Sequence, residues 1–283
     1  MGGKRPVINH QTIESYLIWL REQERSQATI QKYAHDLKQL SVFLKEDVLT
    51  KSALIAWKEK LTGQYAPASV NAMLASVNGY LRYMGWTDLT VKPLKIQHSL
   101  FLEEEKELTR QEYVRLVNAA KQQENERLSL VIQTICATGI RVSELKFITV
   151  EAVQRGRAEI SNKGKIRVVF LPDQLRKLLK SYFRKQKKTA GAVFTTRTGK
   201  PLDRSNIWRD MKRLCASAHV SEKKVFPHNL RHLFARTFYT IEKDLSRLAD
   251  ILGHTNLSTT RIYTAESGAV HARQMERLKL IIT

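Results

Sequence analysis

The sequence predicts a protein that is mainly α-helical with a small β-sheet and is divided into two domains. Apolar residues recur at steps of three and four along residues 9–82, which is the period of an amphipathic helix. The period is lost over residues 87–108, and over residues 158–171 it changes to two, as in a β-hairpin. The chain has 283 residues, which fits two domains on a prior of ~150 residues each.

Four short helices are expected in the N-terminal domain, without a catalytic cluster among them. Ser26 and Thr29 offer capping side chains at the second helix, and the fourth helix follows Pro67 and stops at Gly85. The apolar positions of the first three helices are Ile13, Leu17 and Leu20, then Ile30, Tyr33, Leu37, Leu40 and Leu44, then Leu54, Trp57 and Leu61.

A linker is expected at residues 89–106. The stretch lacks a helical period, carries Pro93 and includes the acidic run Glu103-Glu104-Glu105. The predicted domains are therefore residues 8–88 and residues 107–283.

The second domain is expected to begin with a helix capped by Thr109. A buried helix then ends at Gly139, and another starts at Ser143. The alternating stretches Ala158–Ser161 and Ile166–Leu171 flank the turn residues Asn162-Lys163-Gly164-Lys165, which predicts the hairpin. Helical patterns resume after Pro172.

The charge of the chain indicates a polyanionic partner. Lys and Arg number 48 against 27 Asp and Glu, a net charge of +21. Residues 1–100 carry +5 and residues 101–283 carry +16, with 12 basic residues between Gln154 and Lys188. Such a surface attracts nucleic acid by counterion release. A membrane surface is the alternative, but no basic amphipathic helix is evident.

The remaining composition favours a cytoplasmic protein. Cys136 and Cys215 are expected to be buried, reduced thiols rather than a disulfide or a nucleophile. Residues 1–10 contain no apolar run of the kind found in a signal peptide. The longest apolar stretch, residues 128–140, is too short to span a bilayer.

Four motifs carry residues suited to phosphodiester chemistry without a metal or another cofactor. Arginines neutralise phosphoryl oxygens, imidazoles bind them or move protons, and a phenol can attack phosphorus. The motifs are Thr138-Gly139-Ile140-Arg141-Val142-Ser143-Glu144-Leu145, His228-Asn229-Leu230-Arg231-His232, Leu252-Gly253-His254, and Tyr263 on an expected helix. Taken singly, each also fits an ordinary surface helix, loop or core residue. His228 and His232 could hold a metal, but no further ligand completes that set.

In this order the motifs resemble those of the tyrosine recombinase (phage integrase) family. The resemblance runs from about residue 10 to the end of the chain. Thr29, Tyr33, Asp36-Leu37 and Phe43-Leu44 resemble the family's helical core-binding, SAM-like domain, which forms a C-shaped clamp with the catalytic domain.

The resemblance implies a role for each site residue. Arg141 and Arg231 would clamp the scissile phosphate, and His228 and His254 would assist proton transfer and phosphate binding. Lys163 would protonate the leaving 5′ oxygen, with Lys165 beside it as a competitor for that role. Tyr263 would be the nucleophile that forms a 3′-phosphotyrosyl bond, so no metal or cofactor is expected.

The implied activity is site-specific DNA recombination through a Holliday junction. The partners would be double-stranded DNA with inverted-repeat core sites and a homotetramer on synapsed DNA. A compact, Xer-like or transposon-resolvase-like member of a mobile element would fit. The alternatives are a type IB-like topoisomerase and a non-catalytic DNA-binding regulator.

A terminal helix is also expected after Tyr263. It would carry a mostly apolar stripe that docks on a neighbouring subunit or packs on its own domain. The stripe consists of Val270, Gln274, Met275, Leu278, Ile281 and Ile282.

Overall fold

The computed structural model is mainly helical with one small sheet, as the sequence predicts. It divides into two compact units, Met1–His98 and Ser99–Thr283. The structure describes residues 7–45, 48–96, 104–162, 165–263 and 275–278. Within this part of the chain, no helix is long and apolar enough to cross a bilayer.

The first unit is a four-helix module around one apolar core. Asn9 and Thr12 form a capping box at the first helix, Ser26 caps the second, and Pro67 occupies the first turn of the fourth. The helices are α1 His10–Glu22, α2 Gln27–Leu44, α3 Lys51–Gln64 and α4 Pro67–Tyr83, followed by a 3-10 turn at Thr87–Leu89.

The segment that follows this 3-10 turn lies against the first unit. The Asn78 side chain bonds both backbone groups of Val91, at 2.8 and 2.9 Å, and Asn71 bonds those of Leu94 in the same way. Val91 is buried. Two asparagines thus fix the start of the stretch that lacks a helical period.

The second unit surrounds α6 with helices and one hairpin. Its helices are α5 Arg110–Gln122, α6 Glu126–Thr138, α7 Val150–Arg155, α8 Asp173–Lys185, α9 Arg204–Arg213, α10 Cys215–Ala218, α11 Pro227–Glu242, α12 Leu245–Leu252 and α13 Leu257–Arg261. Its strands are β1 Arg157–Asn162 and β2 Lys165–Phe170, and 3-10 turns lie at Glu104–Lys106, Val142–Phe147 and Glu222–Lys224.

Local sequence signals act here as expected. Thr109 and Glu112 form a capping box at α5, and Gly139 ends α6 with φ +65°. The strands pair antiparallel, and their register runs from Arg157 opposite Phe170 to Asn162 opposite Lys165. The helix expected from Ser143 is instead a six-residue 3-10 turn, Val142–Phe147.

The expectations for the two cysteines and for the terminal apolar stripe are met only in part. Cys215 is buried, whereas Cys136 is only partly so, and both thiols are free. Burial raises the pKa of the Cys136 thiol to about 12, which leaves it unreactive. Of the expected terminal stripe, only Met275 and Leu278 lie within the described residues, and both are exposed.

Candidate active site

One of the predicted arginines, Arg231, lies buried near the N-terminus of α11. Pro227 fills the first turn, so His228 and Arg231 project three residues apart. Arg231 is 1% exposed, and its guanidinium donates to the carbonyl of Gly139 and, at 2.8 Å, to that of Leu252. Burial and the nearby charge of Arg141 lower the pKa of Arg231 to about 10, so it remains a cation at neutral pH.

Arg141 reaches the same place from the end of α6. Its Nη1 lies 3.0 Å from Oε1 of Glu144 and 3.5 Å from the Leu252 carbonyl oxygen. Its side chain is 34% exposed, so part of its guanidinium remains open to solvent. Arg141 and Arg231, far apart in sequence, therefore meet at one carbonyl oxygen, which periodicity alone could not predict.

His254 lies between Arg231 and α13. Gly253 ends α12 with φ +66° and turns the chain so that the His254 ring enters the site. Nε2 of His254 is 3.0 Å from Nη2 of Arg231, and Nδ1 is 2.9 Å from Oγ1 of Thr260. Since a guanidinium can only donate, Nε2 accepts and the proton resides on Nδ1. Burial and then the charge of Arg231 lower the pKa of His254 to about 4.

Tyr263 lies in the same site but is buried. It follows the last residue of α13 rather than lying within that helix, and its side chain is 4% exposed. Its ring stacks on His254 at 6.1 Å and meets His232 edge-on at 5.0 Å. Burial raises the pKa of the phenol, and the positive charge of Arg231 opposes that rise. The nearby polar residues Arg261 and Thr264 made this burial less evident in the sequence.

His228 lines an adjoining pocket of about 380 Å³. Arg141, Arg204 and Trp208 form other parts of its wall. His228 keeps an exposed edge, yet partial burial and then the positive charges around it lower its pKa to about 4. Arg204 and Trp208, both on α9, were not singled out in the sequence because they lie in none of the four motifs.

Glu144 and Arg167 form an ion pair behind Arg141. Glu144 is 2% exposed, and burial alone would raise its pKa, but hydrogen bonds from Arg167 and Arg141 hold it below the ordinary value. Arg167 was missed by the sequence reading. Its place on β2 two residues before the buried Val169 puts both side chains on the inner face, but the sequence does not show which face of β2 is buried.

Glu107 joins the site from the segment before α5. Its Oε1 lies 3.3 Å from Nδ1 of His232, and Oε2 lies 3.6 Å from Nη1 of Arg236. Burial would raise the pKa of Glu107, but the hydrogen bond with His232 and the charge of Arg236 keep it lowered. The carboxylate thus fixes the His232 ring against Tyr263. Its place in the sequence, just beyond the acidic run at the end of the linker, gave no hint of this contact.

The structure thus gathers Arg141, Arg231, His254 and Tyr263, with His228 at the edge of the group. Lys163, which the sequence predicts at the tip of the hairpin, lies outside the described residues. The His228 and His232 rings are 4.6 Å apart. No group of three or more His, Cys, Asp or Glu suited to a metal occurs among the residues described.

Comparison with known proteins identifies the class to which this fold and site belong. The model of the phage integrase family matches residues 106–269, and that of the phage integrase N-terminal SAM-like domain matches residues 13–87. The chain belongs to the phage integrase family. It is a tyrosine-type site-specific recombinase, as the sequence motifs predicted.

Individual relatives extend over nearly the whole chain. Tyrosine recombinase XerA of Thermococcus kodakarensis is 29% identical over 96% of both chains. Tyrosine recombinase XerD of Vibrio cholerae is 26% identical over 89% of this chain and 90% of its own. A lambda integrase (75–356) dimer bound to a COC′ core site shares the fold with a TM-score of 0.75 and 17% identity, covering 92% of this chain and 96% of that one.

Proposed function

We propose that this recombinase cuts and rejoins DNA strands through a covalent bond to Tyr263. Tyr263 gives its phenolic proton to a neutral imidazole of the site as its oxygen attacks phosphorus, the bond from phosphorus to the 5′ oxygen breaks, and that oxygen gains a proton from Lys163. The strand end is then held as a 3′-phosphotyrosyl ester. Attack by a 5′ hydroxyl from the partner duplex reverses these steps and leads to a Holliday junction. One ester replaces another, so the reaction needs no external energy source.

The meeting of Arg141 and Arg231 at the Leu252 carbonyl is the observation that carries this proposal. Preorganised cations stabilise the charge that develops on phosphoryl oxygens in the transition state. Arg231 is fixed by two backbone carbonyls, while Arg141 remains partly open to a ligand. The positive charge of Arg231 also acts on Tyr263, where it opposes the rise in the pKa of the phenol.

The protonation states of the histidines and of a lysine at neutral pH decide which residue can accept a proton and which can donate one. The pKa of His228 and that of His254 are both lowered to about 4, so both imidazoles are neutral near pH 7 and can accept a proton or donate an N–H. A lysine is protonated at that pH, which suits Lys163 to protonating the 5′ oxygen. No metal or other cofactor takes part in this scheme.

The substrate is proposed to be double-stranded DNA with inverted-repeat core sites, bound by a homotetramer at synapsis. Solved relatives bound to DNA support this, including a lambda integrase tetramer on a Holliday junction, with a TM-score of 0.71 and 16% identity. We assign residues 8–88 to a core-binding domain, residues 89–106 to a linker and residues 107–283 to the catalytic domain. The net charge of +21 favours DNA as the ligand. Action within a mobile element and a cytoplasmic location belong to the same proposal.

Trapping the covalent complex tests this function. The protein is incubated with a duplex selected by binding from random sequences and nicked near the cleavage point, so that the released strand diffuses away. We expect a DNA adduct on a denaturing gel from the wild type and none from Tyr263→Phe, with DNA affinity nearly unchanged because one hydroxyl is lost. Tyr239→Phe, which alters a nearby tyrosine, is the matched control and should react normally.

Other outcomes identify the competing functions. Absence of an adduct from the wild type would indicate a non-catalytic DNA-binding regulator. An adduct combined with relaxation of supercoiled DNA, and no exchange between two sites, would indicate a type IB-like topoisomerase. Loss of the adduct in Tyr239→Phe would move the nucleophile to that residue.

A further inference from the structure

Arg167 is the one basic side chain of β2 that turns into the second unit in the described part of the hairpin. It pairs with Ile160 of β1, and its side chain is 14% exposed. Its neighbours on the strand, Ile166 and Val168, are 72% and 44% exposed. The strand thus places a cation on its inner face beside the buried Val169, while the apolar side chains of its outer face lie in solvent. A cation that is largely removed from water needs a partner of opposite charge.

The partner of Arg167 is Glu144, with which it forms a bidentate ion pair. Nη1 of Arg167 lies 3.0 Å from Oε1 of Glu144, and Nη2 lies 2.7 Å from Oε2. Nε of Arg167 donates to the carbonyl of Ile251 at 3.1 Å. All three guanidinium nitrogens are therefore used. They join β2 to the turn that carries Arg141 and to the end of α12, one residue before Leu252.

The same carboxylate also contacts Arg141. Oε2 of Glu144 accepts from the Arg141 backbone N–H at 2.7 Å, and Oε1 accepts from its Nη1 at 3.0 Å. One buried negative charge thus lies between two guanidinium groups. One arginine is enough to neutralise this charge. Arg167 is more deeply buried than Arg141, and its guanidinium donates to both carboxylate oxygens of Glu144.

We propose that Arg167 is a positioning residue of the recombination site, which holds both carboxylate oxygens of Glu144 and neutralises them, so that the guanidinium of Arg141 remains available for the scissile phosphate. This inference rests on the proposed function. Without Arg167, Glu144 has Arg141 as its remaining cationic partner, and the guanidinium of Arg141 is drawn back from the ligand. The carbonyl of Ile251 also loses its donor, next to the Leu252 carbonyl that both catalytic arginines contact.

A lysine in place of Arg167 separates charge from geometry. It keeps the positive charge, but it cannot form two parallel hydrogen bonds to a carboxylate and a third to a carbonyl. We expect Arg167→Lys to slow single-turnover cleavage by about 10- to 100-fold, somewhat less than the loss of a donor that touches the reacting group. The affinity for DNA should change by less than about threefold, since the net charge is retained.

Arg176→Lys is the matched control for this change. Arg176 also holds two carbonyls, those of Val153 and Gln154, and one carboxylate, that of Asp173, but it lies away from the site. It should cleave at the wild-type rate. Both variants are assayed at a temperature where circular dichroism shows them folded. An adduct from the wild type establishes the proposed function independently, so normal cleavage by Arg167→Lys would overturn the role of Arg167 alone.

A double-mutant cycle tests the route through Glu144. If Arg167 acts on cleavage by neutralising Glu144, adding Arg167→Lys to Glu144→Gln should slow cleavage little beyond the Glu144→Gln variant, because the carboxylate is already gone. Fully additive losses would overturn the proposal. So would recovery of Arg167→Lys on a substrate with sulfur in place of the 5′ bridging oxygen. That leaving group needs no protonation, and recovery would place the defect in proton donation by the hairpin.

Discussion

Among single residues, Leu252 organises the positive charge of the site through its carbonyl oxygen. Both Arg141 and Arg231 donate to it. Arg167 brings a third guanidinium, and Glu144 supplies one negative charge. Two positive charges therefore remain near Tyr263. A phosphodiester carries one negative charge, and its pentacoordinate transition state approaches two. The charge balance fits the transition state better than the ground state, as catalysis requires.

The neutral histidines provide a test of these electrostatics in the absence of DNA. Folding lowers the pKa of His254 from its ordinary 6.5 to about 4, so the unfolded chain binds more protons than the folded one between these values. The free energy of unfolding should therefore fall as the pH falls from 7 to 5. His254→Gln should lessen this fall, because a glutamine keeps a donor and an acceptor but does not titrate.

The measurement is urea unfolding of both proteins at pH 7 and pH 5. This window lies above the lowered pKa values of Glu107 and Glu144, whose own loss of stability comes at lower pH. An equal loss of stability in the wild type and the variant would mean that His254 is not held neutral by its surroundings. His228→Gln gives a second, independent comparison, since its pKa is lowered to about 4 as well.

Among the elements, the sequence predicted those with local signals. Pro67 marks the start of α4, and Gly139 marks the end of α6, because each acts through its own backbone. The inward turn of Arg167 could not be predicted in this way. Both faces of β2 are partly apolar, so alternation alone does not show which face is buried. The burial of Tyr263 depends on contacts with Ala235 of α11, which is distant in sequence, and with α12, which is separated from Tyr263 by a turn. Neither contact can be predicted from the local sequence.

The turn between α12 and α13 should be sensitive to a single methyl group. Gly253 has φ +66°, and a Cβ there would lie 2.9 Å from Cδ of Arg167. Gly253→Ala should cost about 1–2 kcal/mol for the left-handed backbone, and it should also displace Arg167 and slow cleavage. Gly199→Ala is the matched control, because Gly199 has φ +80° with open space around it. It should lose similar backbone stability without any loss of cleavage rate.

Thermal unfolding and single-turnover cleavage, measured on both glycine variants, check this expectation. If Gly199→Ala slowed cleavage as much as Gly253→Ala, the effect would follow from general destabilisation. If neither changed the rate, the placement of Arg167 would be unimportant for cleavage.

At the scale of the whole molecule, charge is distributed unequally between the two units. The stretch from Gln154 to Lys188 contributes strongly to the second unit, but its basic residues have different environments. Arg167 and Arg176 are engaged with the protein, whereas Lys177, Arg184 and Lys187 are exposed around α8. The first unit adds a helical module with only a modest net charge. Most of the electrostatic affinity for DNA is therefore expected to come from the second unit.

Salt dependence of DNA binding measures this contribution. Each phosphate neutralised on duplex DNA adds about 0.9 to the slope of log affinity against log salt. A fragment of residues 99–283 should keep most of the slope of the full chain, because residues 101–283 carry +16 of the net +21. Replacing the exposed Lys177, Arg184 and Lys187 by Gln in the full chain then tests α8 directly. An unchanged slope would mean that α8 faces away from DNA, and a nearly flat slope for the fragment would assign the phosphate contacts to the helical N-terminal module.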